Sequence, residues 1–249
     1  MMSPFAIQFT VIAATFVVAG MVKGITGMGL PTVAMGVLGT LMLPAEAATL
    51  LLLPSLVTNV WQLFAGPDVR ALAKRFSLMM AGIVAGTVAA ASLIAGGGGV
   101  WAVVGLGAAL TLYGVCGLFA WRFPVAPRHE RWLSPAIGAL TGAITGATGV
   151  FVMPAVPYLQ GLALDKEDLV QALGLSFTVS TIALAIGLAR EHAFAAGDLG
   201  ASLLAVVPAL IGMGIGQRIR GRISPVAFRR GFFICLLALG IQLMARVFV

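Results

Sequence analysis

Charge is what this sequence has least of. Only 9% of its 249 residues are Asp, Glu, Lys or Arg, against roughly 25% in ordinary soluble domains. That shortage excludes a soluble globular domain, and the abundance of Leu, Ala, Val and Gly excludes a solvated disordered chain. Cysteine is nearly absent as well. Cys116 and Cys235 both sit inside apolar runs, so there is no disulfide framework and no thiol-rich metal site. The two histidines, His129 and His192, have no carboxylate or thiol cluster to complete a metal site. No nucleotide motif is present, so no cofactor is expected. Basic residues exceed acidic ones, for a net charge of +7, yet long apolar runs separate them, which excludes the clustered basic face that nucleic acid needs. The opening M-M-S-P-F-A-I-Q-F-T carries no basic residue, so the first apolar stretch lacks the charged start of a signal peptide and is expected to stay in the membrane.

What is present is hydrophobic: 60% of the residues are apolar and the mean hydropathy is +1.08. Ten apolar segments follow one another at about 4–22, 29–43, 47–65, 77–95, 100–121, 133–147, 150–164, 169–189, 199–217 and 226–248. Runs such as A-T-L-L-L-L-P-S-L-V show no alternation of period two, so a β-barrel is excluded. The expectation is an all-α integral membrane protein. Segments two and seven, at about 15 residues, cover only about 22 Å of a ~30 Å hydrocarbon core, so they are expected to be short or re-entrant helices.

The chain also repeats itself. Ile25, Thr26 and Gly27 fall on Ile144, Thr145 and Gly146, and further on Glu46 meets Glu167, Ser55 meets Ser176, Asn59 meets Ser180, and Gly82 and Gly86 meet Gly212 and Gly216. Two halves of five segments, 1–124 and 125–249, are expected, and an odd number inverts the second relative to the first. Basic residues test this. The loop with Arg70, Lys74 and Arg75 corresponds to one holding only Arg190, whereas the uncharged G-G-G-G at 96–99 corresponds to the loop with Arg218, Arg220, Arg222, Arg229 and Arg230. Threading all ten segments by the positive-inside rule puts Lys23, the 70–75 cluster, Arg122, Arg128, Arg131, Lys166 and the late arginines on the cytoplasmic side, with both termini outside. An eight-span threading would set the two basic clusters on opposite faces.

Two glycine-rich motifs carry the local signal: Gly24, Thr26, Gly27, Gly29 and Pro31 in the first half, and Gly142, Thr145, Gly146, Thr148, Gly149 and Pro154 in the second. Each suits the start of a short helix inside the membrane, where unpaired backbone N–H groups and the helix dipole hold a small anion without a buried full charge. Gly and Thr also permit close helix packing, and both roles remain open. Ser55, Thr58 and Asn59 on segment three, with Ser176, Thr178 and Ser180 on segment eight, either line a pathway or bond to neighbouring carbonyls. Pro54 is expected to bend its helix and free a carbonyl that helps to shape a cavity. Lys23 either pairs with an anion or snorkels to the headgroups. Glu46 and Glu167 suit helix caps, and Gln62, Gln160, Gln171 and Tyr158 are further candidates for the route. Gly174, Ser176 and His192 imitate an intramembrane serine dyad, but sixteen residues along one helix put about 24 Å between Ser176 and His192, so no enzyme is expected.

At these residues the chain resembles the sulfite exporter family of the TauE/SafE type: G-I-T-G-M-G-L-P at 24–31, G-A-I-T-G-A-T-G-V-F-V-M-P at 142–154, G-L-S-F at 174–177 and G-Q-R-I-R-G-R-I-S-P at 216–225. The G-G-G-G common in relatives is here G-M-G-L and A-T-G-V, and the first-half G-T-S element reads L-P-S. The resemblance implies a secondary transporter, by its name an exporter, of small sulfur-containing anions such as sulfite, thiosulfate or organosulfonates in the bacterial cytoplasmic (inner) membrane. The partners implied are the anion, the lipid bilayer and, as a coupling ion with no residue assigned to it, a proton. The residues themselves support alternating access of two repeats around paired helix starts. A passive anion channel would use the same architecture.

Overall fold

The computed structural model describes residues 4–96, 99–119, 124–194 and 197–247. Arg122 and part of the 96–99 glycine run lie outside them. Among the described residues there is no strand. The described residues form twelve helices in order: α1 Pro4–Thr26, α2 Leu30–Leu38, α3 Pro44–Phe64, α4 Val69–Arg75, α5 Ser77–Ala90, α6 Ser92–Ala95, α7 Val100–Leu118, α8 Pro127–Thr148, α9 Ala155–Gly161, α10 Lys166–Arg190, α11 Asp198–Ile219 and α12 Pro225–Ala245, with a 3-10 turn, Arg220–Arg222, before the last. Seven helical stretches among the described residues are long and apolar enough to cross a membrane. α8, at 22 residues, is long enough but opens with Pro-Arg-His-Glu-Arg, which lowers its hydropathy. α2 and α9, at 9 and 7 residues, are too short to cross alone, as their segments predict.

Local chemistry sets the helix ends. Pro44, Pro127 and Pro225 stand in the first turn of their helices, where a missing N–H costs nothing. Glu46 Oε2 accepts from Leu43 N at 3.3 Å at the start of α3, the capping role expected of it. Asp68 caps α4 by accepting from Ala71 N at 2.9 Å. The distribution of polarity is that of a protein in lipid: Trp61, Leu203 and Val207 stand exposed, while Ser55, Asn59, Gln171, Ser176 and Ser180 are buried.

Packing runs across the two halves. α1 lies along α11, and α8 along α5; α3 crosses α10, and α7 packs on α12. Glycines hold the first two seams. A Cβ on Gly20 or Gly24 of α1 would overlap the carbonyl oxygens of Ala209 and Met213, and one on Gly212 or Gly216 of α11 those of Val17 and Met21. In the other seam Gly138 and Gly142 of α8 meet the carbonyls of Met79 and Ile83, and Gly82 and Gly86 of α5 those of Pro135 and Ala139. The contacts correspond one for one, 118 residues apart on α1 and α8 (20 and 138, 24 and 142) and 130 apart on α5 and α11 (82 and 212, 86 and 216). Small residues four apart let backbones touch where lipid supplies no hydrophobic drive.

α3 and α10 run antiparallel, with Gln62 beside Val170 and Asn59 beside Thr181. Their junction at one end of the bundle is clamped reciprocally: Gln62 Nε2 donates to Val170 O and Gln171 Nε2 to Leu63 O, each at 2.8 Å. Gln171 Oε1 also accepts from Asp68 N at 3.1 Å. At the same end Arg75 makes two bonds to Glu130, at 2.7 and 2.9 Å, which join α4 to α8 and raise the pKa of the guanidinium. The described basic residues of the 70–75, 128–131, 166 and 218–230 segments therefore share one end. Lys23 is the exception. Of the two roles left open for it, snorkelling to the headgroups does not fit: it is buried within the bundle at 3% exposure, its Nζ donating to Asn59 of α3.

Pro54 does free a carbonyl inside α3, that of Leu50, whose partner would be the missing N–H of residue 54. The carbonyl shapes no cavity. Ser202 of α11 donates its hydroxyl to Leu50 O at 2.9 Å and accepts from Leu53 N at 3.1 Å, so the α3–α11 contact repairs the break.

Candidate functional site

Both glycine-rich motifs are helix breaks that share two hydrogen bonds, from the threonine hydroxyl to the carbonyl four residues back and to that hydroxyl from the N–H two residues on. The Thr26 hydroxyl has Val22 O at 2.9 Å and Met28 O at 2.7 Å as acceptors and takes a bond from Met28 N at 3.2 Å. Thr148 donates to Ile144 O at 2.6 Å and accepts from Val150 N at 3.2 Å. A left-handed glycine follows each threonine, Gly27 at φ 78° and Gly149 at φ 72°, a conformation that costs glycine nothing. The structural partner of Thr26 is thus Thr148. Thr145, its partner by sequence, is buried within α8 and donates to Thr141 O at 2.7 Å. From the seam glycines onward α8 runs one turn further than α1 before it breaks: Gly24 to Gly27 spans three positions, Gly142 to Gly149 seven.

The predicted glycines divide into two sets. Gly24 and Gly146 lie in the seams, where a Cβ on Gly146 would overlap Thr87 O. Gly27, Gly29 and Gly149 lie at the breaks. Gly29, at φ 97°, is the N-cap of α2, which has no side-chain cap, and Pro31 stands in its first turn. Pro154 directly precedes α9. Gly149 lies against Met35 of α2, and Val150 and Phe151 are fully buried, so the second break is closed off from solvent.

The charge-bearing centre lies where the Lys23 side chain of α1 reaches the contact of α3 with α10. Lys23 Nζ donates to Asn59 Oδ1. Asn59 Nδ2 donates to Thr181 Oγ1 at 3.3 Å, and Thr181 passes the chain to Phe177 O at 2.7 Å. The lysine's bonding partner is therefore a neutral amide, and an ammonium group has three donors to satisfy. Ser55, one turn from Asn59 on α3, and Ser176 and Ser180, one turn apart on α10, are fully buried with hydroxyls that bond to nothing among the described residues. Buried polar groups without partners point to an occupant, water or ligand. Four of the predicted residues outside the motifs, Ser55, Asn59, Ser176 and Ser180, thus sit on α3, whose Asn59 bonds Lys23, and on α10, which packs against α3. Thr181 was missed, although its neighbour Ser180 matches Asn59 in the repeat. His192 lies exposed beyond the end of α10, far from Ser176.

A cavity of about 540 Å³ opens at the basic end and reaches the first break. Thr26, Met28, Met153 and Gln160 are among its lining, and Tyr113 and Phe232 form an aromatic wall. Tyr113, missed from the sequence, packs edge-on against Phe232 and Phe233 at 6.4 and 5.1 Å. Gln62, Gln171 and Tyr158, candidates for the route, instead make structural bonds, the last with Ser134 at 2.7 Å. At the opposite end a hollow of about 620 Å³ is lined by Gln8, Gly39, Glu46, Val103 and Arg246, and the second break does not reach it.

The sulfite exporter TauE/SafE family model matches residues 12–243, nearly the whole chain. No curated protein and no solved structure matches.

Proposed function

The chain belongs to the sulfite exporter TauE/SafE family, integral membrane transporters of sulfur-containing anions such as sulfite, and from that premise we propose that it exports a small anion of this kind by alternating access, with Lys23 as the counter-charge. The observation that carries the proposal is the buried lysine. An ammonium in a low-dielectric interior is costly without an opposite charge, and Asn59 supplies only a dipole. A sulfite, thiosulfate or organosulfonate group beside Lys23 supplies the charge. The unbonded hydroxyls of Ser55, Ser176 and Ser180 supply donors for its oxygens. The uncapped start of α2 adds backbone polarity of the right sign.

Two inverted repeats, 1–124 and 125–249, are the framework proposed for the movement. Equivalent glycine seams, and the antiparallel crossing of α3 with α10, support it. In this conformation the first break is open to the cavity at the basic end and the second is covered. Rocking the halves would exchange those conditions. The basic end is then cytoplasmic and both termini lie outside in a bacterial cytoplasmic membrane. The test is thiosulfate and sulfite flux in proteoliposomes with Lys23→Met. Saturable flux is expected to fall at least about tenfold, the order of one lost charge-assisted bond, while size exclusion and thermal unfolding stay at parent values, because an apolar side chain replaces a buried charge at little cost. Unchanged saturable flux refutes the counter-charge role, and flux proportional to concentration in the parent refutes a carrier.

A further inference from the structure

We infer a second anion subsite at the mouth of the basic-end cavity, formed by Lys166, Arg220 and Arg229, which receives doubly charged oxyanions ahead of the Lys23 centre. It rests on the proposed transport of sulfur anions and adds to it a place and a charge preference.

The three cations come from three elements. Lys166 is in the first turn of α10, Arg220 in the 3-10 turn after α11, and Arg229 in the second turn of α12. The fold brings all three to the lining of one cavity, and all three are exposed, which puts them at its rim. No carboxylate is among the described residues lining that cavity. Arg75, by contrast, spends its charge on Glu130. Arg218, Arg222 and Arg230 belong to the same loop, but their side chains do not line the cavity, so the loop's arginines are sorted into rim and non-rim. Behind the rim the walls are Met28, Tyr113 and Phe232. Low-dielectric walls beneath a ring of one charge sign concentrate its field in the opening. Thr26, three residues beyond the buried Lys23, lines the same cavity, so an anion held by the exposed cations stands in the space that adjoins the buried amine's helix. Exposed side chains at the rim bind weakly and release quickly, as a loading site requires.

The charge preference follows from Coulomb's law, because attraction to fixed cations scales with the charge of the ligand. In Arg220→Gln/Arg229→Gln the KM for thiosulfate, a dianion, is expected to rise about tenfold. That for methanesulfonate, a monoanion, should rise about threefold, the square root of the first. Maximal rates stay near parent values. Arg218→Gln/Arg222→Gln, with the same charge removed from the same loop, should shift KM by less than about twofold. In the parent, added salt should raise the KM for thiosulfate more steeply than that for methanesulfonate, a readout independent of any variant's folding.

Flux is measured first in phosphatidylcholine vesicles and then with phosphatidylglycerol added. A KM shift present in phosphatidylcholine alone supports a substrate site. A shift that appears only with phosphatidylglycerol means that lipid phosphate occupies the rim and overturns the proposal, as do equal shifts in the two arginine pairs. Loss of flux in Lys23→Met together with unchanged KM in Arg220→Gln/Arg229→Gln removes the rim subsite and leaves the transport proposal standing. Unchanged transport in both removes both.

Discussion

Ser202 and Pro54 form a pair whose energy can be worked out from four atoms. Pro54 has no N–H, so Leu50 O in the middle of α3 loses its helical partner. The Ser202 hydroxyl of α11 replaces it at 2.9 Å and also accepts from Leu53 N at 3.1 Å. Ser202→Ala therefore leaves a buried carbonyl unbonded, at a cost of about 1–3 kcal/mol; measured interhelical bonds in membranes lie lower, at about 0.6 and up to about 1.7 kcal/mol. We expect about 1.5 kcal/mol. At about 2–4 °C per kcal/mol for a chain of this size, the apparent Tm in detergent falls by about 3–6 °C. In a Pro54→Ala background residue 54 regains its N–H and bonds Leu50 O itself. Ser202→Ala then costs only about 0.5 kcal/mol, which leaves a coupling of about 1 kcal/mol in the double-mutant cycle. Thermal unfolding of the parent, both single variants and the double variant measures it. Additivity within about 0.3 kcal/mol, the behaviour of independent sites, would refute the claim that the serine repairs the proline break.

Other expectations follow from the same geometry. Gly212→Val pushes a side chain into Val17 O and should abolish the folded monomer peak. Gly27→Ala meets nothing within 4 Å and should cost only about 1–2 kcal/mol for a left-handed φ; the reverse order of severity would overturn the division into seam and break glycines. Gln171→Leu should lower Tm more than Gln62→Leu, because Gln171 uses both ends of its amide while Gln62 Oε1 has no partner; equal losses would count against the clamp. Thr26→Val and Thr148→Val remove matching bonds and should lower stability alike, by about 1 kcal/mol, yet of the two only Thr26 lines the cavity, so flux should fall further in Thr26→Val. Equal flux losses would contradict that asymmetry.

Much of the fold was legible because each piece of it is a local property. Apolar runs marked the helices, the two short runs became α2 and α9, and Glu46 took its place at a helix start. Of the polar residues singled out on segments three and eight, Asn59 bonds across the α3–α10 contact, to Thr181. Legibility stopped at partners. Thr181 went unnoticed because the repeat pairs Asn59 with Ser180, while the rotation of α10 sets the next residue against it. The rim arginines carried a topology signal, and nothing local separates Arg220 and Arg229 from Arg218 and Arg222. The motif I-T-G-A-T-G offers two Thr-Gly steps, and the helix passes the first and breaks at the second, since Gly146 is still engaged with Thr87 O of α5.

The amino-acid order by itself determined the solvent of this protein, the places of its long apolar helices and the positions of its breaks to within a turn, because hydropathy, glycine and proline act on the few residues around them. Only the tertiary structure decided that α1 pairs with α11 and α8 with α5, that Ser202 mends α3 across 152 positions of chain from Leu50, and that Lys23 ends beside an amide inside the bundle and not among the headgroups. Those outcomes depend on which backbones touch and on how each helix is rotated, and contact between distant segments leaves no periodic trace in either one.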